Sequence, residues 1–148
     1  MLKSQLIHPP LLEALAAAGH GSKVLIADSN YPASTTLGDN AELIHLNLMP
    51  GLISGVDMLR AVVSAIPIES AAVMETYKTG PYAMTEDPDI WADYSKVLVD
   101  SGNPGELERI ERQKFYDTVA SDNVACTIAT GEQRIYANLL LTIGVVMP

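Results

Sequence analysis

The run Lys23-Val24-Leu25-Ile26-Ala27-Asp28 constrains the fold more than any other segment of this chain. It is too short and too uniformly apolar for an amphipathic surface helix and reads as a buried strand. Successive side chains of a strand point to opposite faces, so four consecutive apolar residues call for a covering layer on both sides. The run follows Gly19-His20-Gly21, in which the glycines can adopt positive φ without a Cβ clash, turning the backbone tightly and leaving the imidazole exposed. Asp28 closes the run where strands of open α/β sheets commonly deliver ligand contacts, so His20 and Asp28 are expected to share one cleft.

The rest of the chain supplies the layers. Pro9-Pro10 ahead of Leu11, Leu12 and Leu15 marks a helix start, because proline's fixed φ and missing N–H are harmless in a first turn. Gly19 closes that helix. Ala41 to Leu48 reads as a second strand, Ala71 to Tyr77 as a third, and Leu107 to Ile110 as a short further one. Ser54 with Asp57 resembles a capping box, and Val56, Leu59, Val63 and Ile66 repeat at helical spacing, predicting a helix over Ser54 to Ile66. Pro88 to Asp100 and Glu111 to Ala120 read as helices, separated by the loop signal Ser101-Gly102-Asn103-Pro104-Gly105. Val124 to Thr130 and Ile135 to Val145 close the series as strands. This alternation predicts an α/β fold over residues 1–148, a three-layer α/β/α arrangement around a central mixed sheet.

Composition removes several classes of function. Nine lysines and arginines against eighteen acidic residues give a net charge of −9, with no dense basic cluster to track phosphates, so nucleic acid is excluded as an expected partner. The one cysteine, Cys126, lies in an apolar strand-like segment and reads as core, and the lack of a disulfide framework points to a reducing cytoplasm. Leu11 to Gly19 contains Glu13 and is too short for a signal core, and no run reaches the length of a membrane span. No Cys/His cluster or His-x-x-x-His pair suggests a metal. Gly19-His20-Gly21 precedes a strand rather than following one, so it is not a dinucleotide fingerprint, and no cofactor is expected. His8 reads as a loop residue, His45 as a satisfied structural histidine, and Met49, Met58, Met74 and Met84 as core filling.

Taken alone, these residues leave alternatives. A Gly-His-Gly turn can be purely structural, Asp28 can cap the next turn through an Asx interaction, and Arg112 can be a solvated helix charge.

Their order and spacing over nearly the whole chain, however, resemble the family of sugar mutarotases that contains L-fucose mutarotase and D-ribose pyranase, with the closer match to the fucose branch. The resemblance is carried by Met1-Leu2-Lys3, the helix Leu11 to Ala18, Gly19-His20-Gly21, Asp28-Ser29-Asn30-Tyr31-Pro32-Ala33, Phe115-Tyr116, Thr130-Gly131-Glu132 and Tyr136-Ala137-Asn138. It implies that His20 is the catalytic histidine and Asp28 a sugar-binding carboxylate. It further implies that Arg112, Tyr136 and Asn138 contact the sugar, Arg112 being the mark of the fucose branch. Tyr136 and Asn138 would then alternate on one strand face and point the same way. The resemblance also implies a homodecamer with sites built between neighbouring subunits. The pattern departs at Asn30, where some fucose enzymes have histidine, and over Tyr77 to Asp87, which does not align cleanly.

Mutarotation opens a cyclic hemiacetal to the aldehyde, lets the C1–C2 bond rotate, and recloses the ring. It needs proton transfer but no metal, nucleotide or covalent intermediate. Imidazole, with an ordinary pKa near 6.5, exchanges protons at neutral pH with little tuning. The expected function is therefore interconversion of the α and β anomers of a free monosaccharide, with His20 as proton donor to the ring oxygen. Two other readings use the same groups: a D-ribose pyranase interconverting pyranose and furanose rings, and a non-catalytic sugar-binding protein linked to uptake.

Overall fold

The structure, a computed structural model, describes residues 1–148. Its elements run α1 (Pro9–Ala17), β1 (Lys23–Ala27), β2 (Glu42–His45), α2 (Gly55–Val63), β3 (Ile68–Met74), α3 (Asp89–Asp100), β4 (Leu107–Ile110), α4 (Arg112–Val119), β5 (Val124–Ala129) and β6 (Leu139–Ile143). The six strands form one sheet in the order β2-β5-β1-β6-β3-β4. β1 with β5, β2 with β5, and β3 with β4 pair parallel, whereas β6 lies antiparallel between β1 and β3. The expected mixed sheet is thus present, its one reversed strand near the middle.

The apolar run of β1 feeds both faces. Val24 and Ile26 join the larger core, which also takes Leu11 and Leu15 of α1, Leu59 and Val62 of α2, and Tyr94 and Leu98 of α3. Leu25 and Ala27 point to the opposite, smaller core, closed by Phe115 and Val119 of α4 together with Tyr31 and Ala33. The layers are therefore unequal: three helices cover one face, while one helix and a packed loop cover the other. Burying a side chain such as Leu11, Leu59 or Phe115 stabilises the fold by about 1.5–3 kcal/mol each relative to exposure.

Local caps set the helix starts. The His8 side chain accepts the Leu11 amide at 3.3 Å, so this histidine caps α1 rather than lying idle in a loop. Ser54 accepts the Asp57 amide and starts α2 as its spacing predicts. Glu111 caps α4 by accepting the amides of Gln113 and Lys114, which holds its carboxyl below the usual range.

Several boundaries differ from the sequence reading. β3 begins at Ile68, where Glu69 and Ser70 disguise the strand, and it ends at Met74. β2 covers only Glu42–His45 at the edge of the sheet, and its exposed position leaves His45 in solvent rather than satisfied within a core. Met49, in the loop beyond β2, is exposed rather than core, while Met58 and Met74 are buried and Met84 packs against the larger core. The largest shift is in the last strand: β6 starts at Leu139, and Ile135 to Asn138 form a loop in which Tyr136 takes φ +58°. Tyr136 and Asn138 are therefore not alternating residues of one strand. Cys126 is buried in β5, where loss of water pushes its thiol up to about 12.

Candidate functional site

The topology gathers chemistry at one edge of the sheet. β1, β3 and β4 all end there, and the reversed β6 begins there, with Ile26 paired to Leu139 and Val73 to the same residue. An open cavity of about 370 Å³ lies at this edge, lined by Asp28, Asn30 and Tyr31 after β1, Met74 of β3, and Tyr82 beyond it. Arg112 and Tyr116 of α4 and Ile135, Tyr136 and Asn138 before β6 complete the wall. This volume lies at the small end of the range for ligand pockets.

Asp28 and Asn138 form the floor, both nearly closed to solvent. The Asn138 amide donates to Asp28 Oδ2 at 2.9 Å while its carbonyl oxygen accepts the Asp28 N–H, also at 2.9 Å. Asp28 Oδ1 accepts the Asn30 N–H at 2.9 Å, the Asx geometry that the sequence allowed. Burial pushes the Asp28 carboxyl above the usual range, and these hydrogen bonds oppose the rise. A carboxylate offers about four lone-pair sites, so the oxygens keep capacity for hydroxyl donors from the cavity.

Tyr136 owes its left-handed conformation to α3. The Trp91 indole N–H donates to the Tyr136 carbonyl at 2.9 Å, and the Tyr94 hydroxyl donates to the Ala137 carbonyl at 2.8 Å. Arg112 lies between two aromatic rings, 5.2 Å from the Tyr77 centroid and 5.5 Å from that of Tyr116, and donates to the Tyr116 hydroxyl at 3.1 Å. The guanidinium is thus presented as a fixed plane rather than a wandering surface charge. Tyr31 stacks against Tyr116 at 5.6 Å; its buried hydroxyl has no partner, and desolvation pushes it up to about 12.

His20 is elsewhere. It precedes β1, and the strand places roughly 16 Å of extended chain between it and Asp28. The Gly21 N–H donates to the Ile143 carbonyl at the far end of β6, and Gly21 takes φ +81° as the turn requires. The His20 Nε2 meets Glu69 Oε2 at 2.6 Å, with both side chains more than half exposed. The cleft expected to unite His20 with Asp28 does not exist within one copy of the chain, because a strand delivers its two ends to opposite edges of the sheet.

The family model described as the RbsD / FucU transport protein family matches residues 1–146. The chain belongs to the RbsD / FucU family. The human fucose mutarotase is 34% identical over 146 residues, covering 95% of this chain and 90% of that protein. The structure of FucU from Bifidobacterium longum superposes with a TM-score of 0.79 at 32% identity, over 95% of this chain and 96% of that one. The fucose mutarotase of Streptococcus pneumoniae, solved in complex with L-fucose, gives 0.82 at 26% identity, over 99% and 100%.

Within this RbsD / FucU chain, four of the five residues singled out from the sequence, Asp28, Arg112, Tyr136 and Asn138, line one cavity. Asn30, Tyr31, Met74, Tyr82, Tyr116 and Ile135 line it too without having been singled out as site residues. Tyr31 and Tyr116 did stand inside the segments Asp28 to Ala33 and Phe115-Tyr116, which was the available signal. Glu132 belongs to the scaffold instead. It accepts from the Arg134 guanidinium at 2.8 and 3.0 Å, from the Arg134 N–H and from the Gly55 N–H at the start of α2. The Arg134 contacts hold its carboxyl down to about 2. Gly131 is required beside it, since a Cβ there would collide with the carbonyl oxygens of Met49 and Leu52.

Proposed function

We propose that this chain is a mutarotase that interconverts the α and β anomers of L-fucose, in a homo-oligomer whose sites are completed by His20 of a neighbouring copy. The observation that carries the reading is the Asp28–Asn138 pair: a buried carboxylate, locked in place, opening onto a monosaccharide-sized cavity beside a stacked guanidinium. The relatives named fucose mutarotase supply the reaction class.

In this mechanism Asp28 accepts a hydrogen bond from a sugar hydroxyl, Arg112 bridges neighbouring oxygens, and the ring of Tyr136 faces the sugar's C–H surface. Asn138 acts chiefly by holding Asp28. The anomeric O–H passes its proton to a solvent water, the C1–O5 bond breaks as C1=O forms, and the ring oxygen takes a proton from the His20 side chain, which regains one when the ring recloses. Rotation about C1–C2 and the reverse sequence give the other anomer, with no net change in atoms. A positioned proton donor supplies about 10²–10⁴-fold, or roughly 3–5.5 kcal/mol of barrier, enough for a reaction that already proceeds in water.

The separation of His20 from Asp28 supports a shared site. Exposed apolar residues flank both ends: Leu48, Met49 and Leu52 beyond β2, and Val145, Val146 and Met147 following β6 beside the His20 turn. Exposed apolar residues of this kind fit contact between copies. A closed ring, a decamer by the family resemblance, would seat one copy's His20 at the next copy's cavity. A cytoplasmic location belongs to the same proposal; no helix is long and apolar enough to cross a membrane.

The test is NMR magnetisation exchange between the anomers of L-fucose, with D-ribose in parallel. Acceleration on fucose that vanishes in His20→Ala is expected. A response to ribose alone would move the assignment to a pyranase, and binding without acceleration would make the protein a sugar binder.

A further inference from the structure

The segment Tyr77 to Asp87, where the family pattern aligns less cleanly, contributes Tyr82 to the cavity wall, and its attachment is specific. The Tyr136 hydroxyl accepts the Tyr77 N–H at 3.1 Å and donates its own proton to the Tyr82 carbonyl at 2.9 Å. The segment also closes on itself, with the Met84 N–H donating to the Tyr77 carbonyl at 2.9 Å and the Ala83 N–H to the Gly80 carbonyl at 3.2 Å. Its far end is tied by Asp87 to Arg109, whose guanidinium lies 5.1 Å from the centre of the Trp91 ring. The same Trp91 fixes the Tyr136 backbone, so both ends of the segment return to α3.

A phenol has one proton to donate, and Tyr136 has given it to Tyr82. The hydroxyl that the family pattern would direct at the sugar is here committed to this loop. Burial sorts the cavity lining into a polar floor, Asp28 and Asn138, and a mouth where Tyr82 and Ile135 stand 66% and 44% exposed. A sugar whose hydroxyls engage the floor and Arg112 meets an apolar rim with the remainder of its ring.

We infer that the Tyr77–Asp87 segment is the specificity-determining wall of the site, in which Tyr82 packs on an apolar C5 substituent and the Tyr136 hydroxyl is the positioning group that holds Tyr82 there. This rests on the mutarotase reading above. The favoured substrate class is the 6-deoxy sugar, whose methyl gains from an apolar rim what a bare methylene in the ring cannot.

The experiment compares anomer exchange on L-fucose and on D-arabinose, the same pyranose with hydrogen in place of the C5 methyl. Wild-type protein is expected to favour fucose in kcat/KM by about tenfold or more, the usual worth of one methyl group in an apolar pocket. Tyr82→Ala and Tyr136→Phe should each cut that preference to about threefold or less, through the fucose KM rather than kcat, while Tyr82→Phe should retain it. Tyr82 is exposed, so its truncation leaves the core intact. An unchanged ratio in Tyr82→Ala and Tyr136→Phe, an equal loss on both sugars, or no preference in the wild type would overturn the assignment while leaving the mutarotase reading in place. Acceleration of neither sugar by wild-type protein would overturn that reading and this inference with it.

Discussion

The two ends of β1 differ in every respect that bears on chemistry. At the C-terminal end, Asp28 is closed to solvent and its carboxylate is fixed by Asn138 and the Asn30 amide. At the N-terminal end, His20 projects from a glycine turn into solvent, with Glu69 as its one partner. A buried, rigid group suits orientation of a ligand, whereas an exposed imidazole on a clamped turn suits delivery to something outside the chain. On the proposed shared site, one strand would serve two cavities, its Asp28 in its own copy and its His20 in a neighbour's.

The largest effect expected from breaking this arrangement is on catalysis. His20→Ala should lower anomer exchange by about 10²–10⁴-fold through loss of proton transfer, and Asp28→Ala should also lower it sharply through loss of sugar orientation. Co-refolding equal amounts of the two variants should restore roughly a quarter of the wild-type rate, since chains assort independently around a closed assembly. Recovery distinguishes a site shared between copies from one contained in a chain, in which case the mixture stays inactive.

Stability should follow the buried end. Glu132 anchors the turn behind Asn138, and its folded pKa lies below its unfolded one. The stability it contributes is fully present above pH 4.5 and is lost as pH falls toward about 2. The difference corresponds to on the order of 2–3 kcal/mol once discounted for the 41% exposure of Arg134. Urea unfolding of Glu132→Gln at pH 7 and pH 3 should show the full deficit at the higher pH and roughly half of it or less at the lower; equal deficits would remove titration as its cause.

A smaller effect sharpens the contrast between rigid and mobile groups. Arg112→Lys keeps the charge but loses the planar stack between Tyr77 and Tyr116, worth about 0.5–1 kcal/mol, so the fucose KM should rise roughly two- to fivefold with kcat preserved. Smallest of all, His8→Ala removes the cap of α1, remote from the cavity. It should cost about 0.5 kcal/mol in thermal unfolding with exchange rates unchanged. A loss of activity there would mean that α1 communicates with the site.

The chain announces its buried strand, the cap of α2 and part of the floor of its site because each rests on a local signal: an apolar run, Ser54 before Asp57, a carboxylate at a strand end, whereas the caps by His8 and Glu111 went unread. The strands that β6 joins were harder to read. Glu69 and Ser70 look like loop but continue β3, and Ile135 to Asn138 look like strand but are pulled out of it by Trp91 and Tyr94, more than forty residues away. His20 and Asp28 are neighbours in sequence and sit at opposite edges in space, which only a known strand length reveals. Tyr82 carries no motif; its place at the cavity follows from the Tyr136 hydroxyl, a contact set entirely by tertiary structure.

The position of β6 also bears on how the molecule is made. It is the last of the ten elements in sequence, yet it is the only link between the β2-β5-β1 half of the sheet and the β3-β4 half. A chain emerging from the ribosome can form neither the full sheet nor its larger core until these residues are released, so closure is a late, non-local step of the kind that slows folding. Asn138 arrives with that strand. The pocket floor and the completed sheet therefore appear together, and a nascent or truncated chain lacking β6 has no partly built site to misuse.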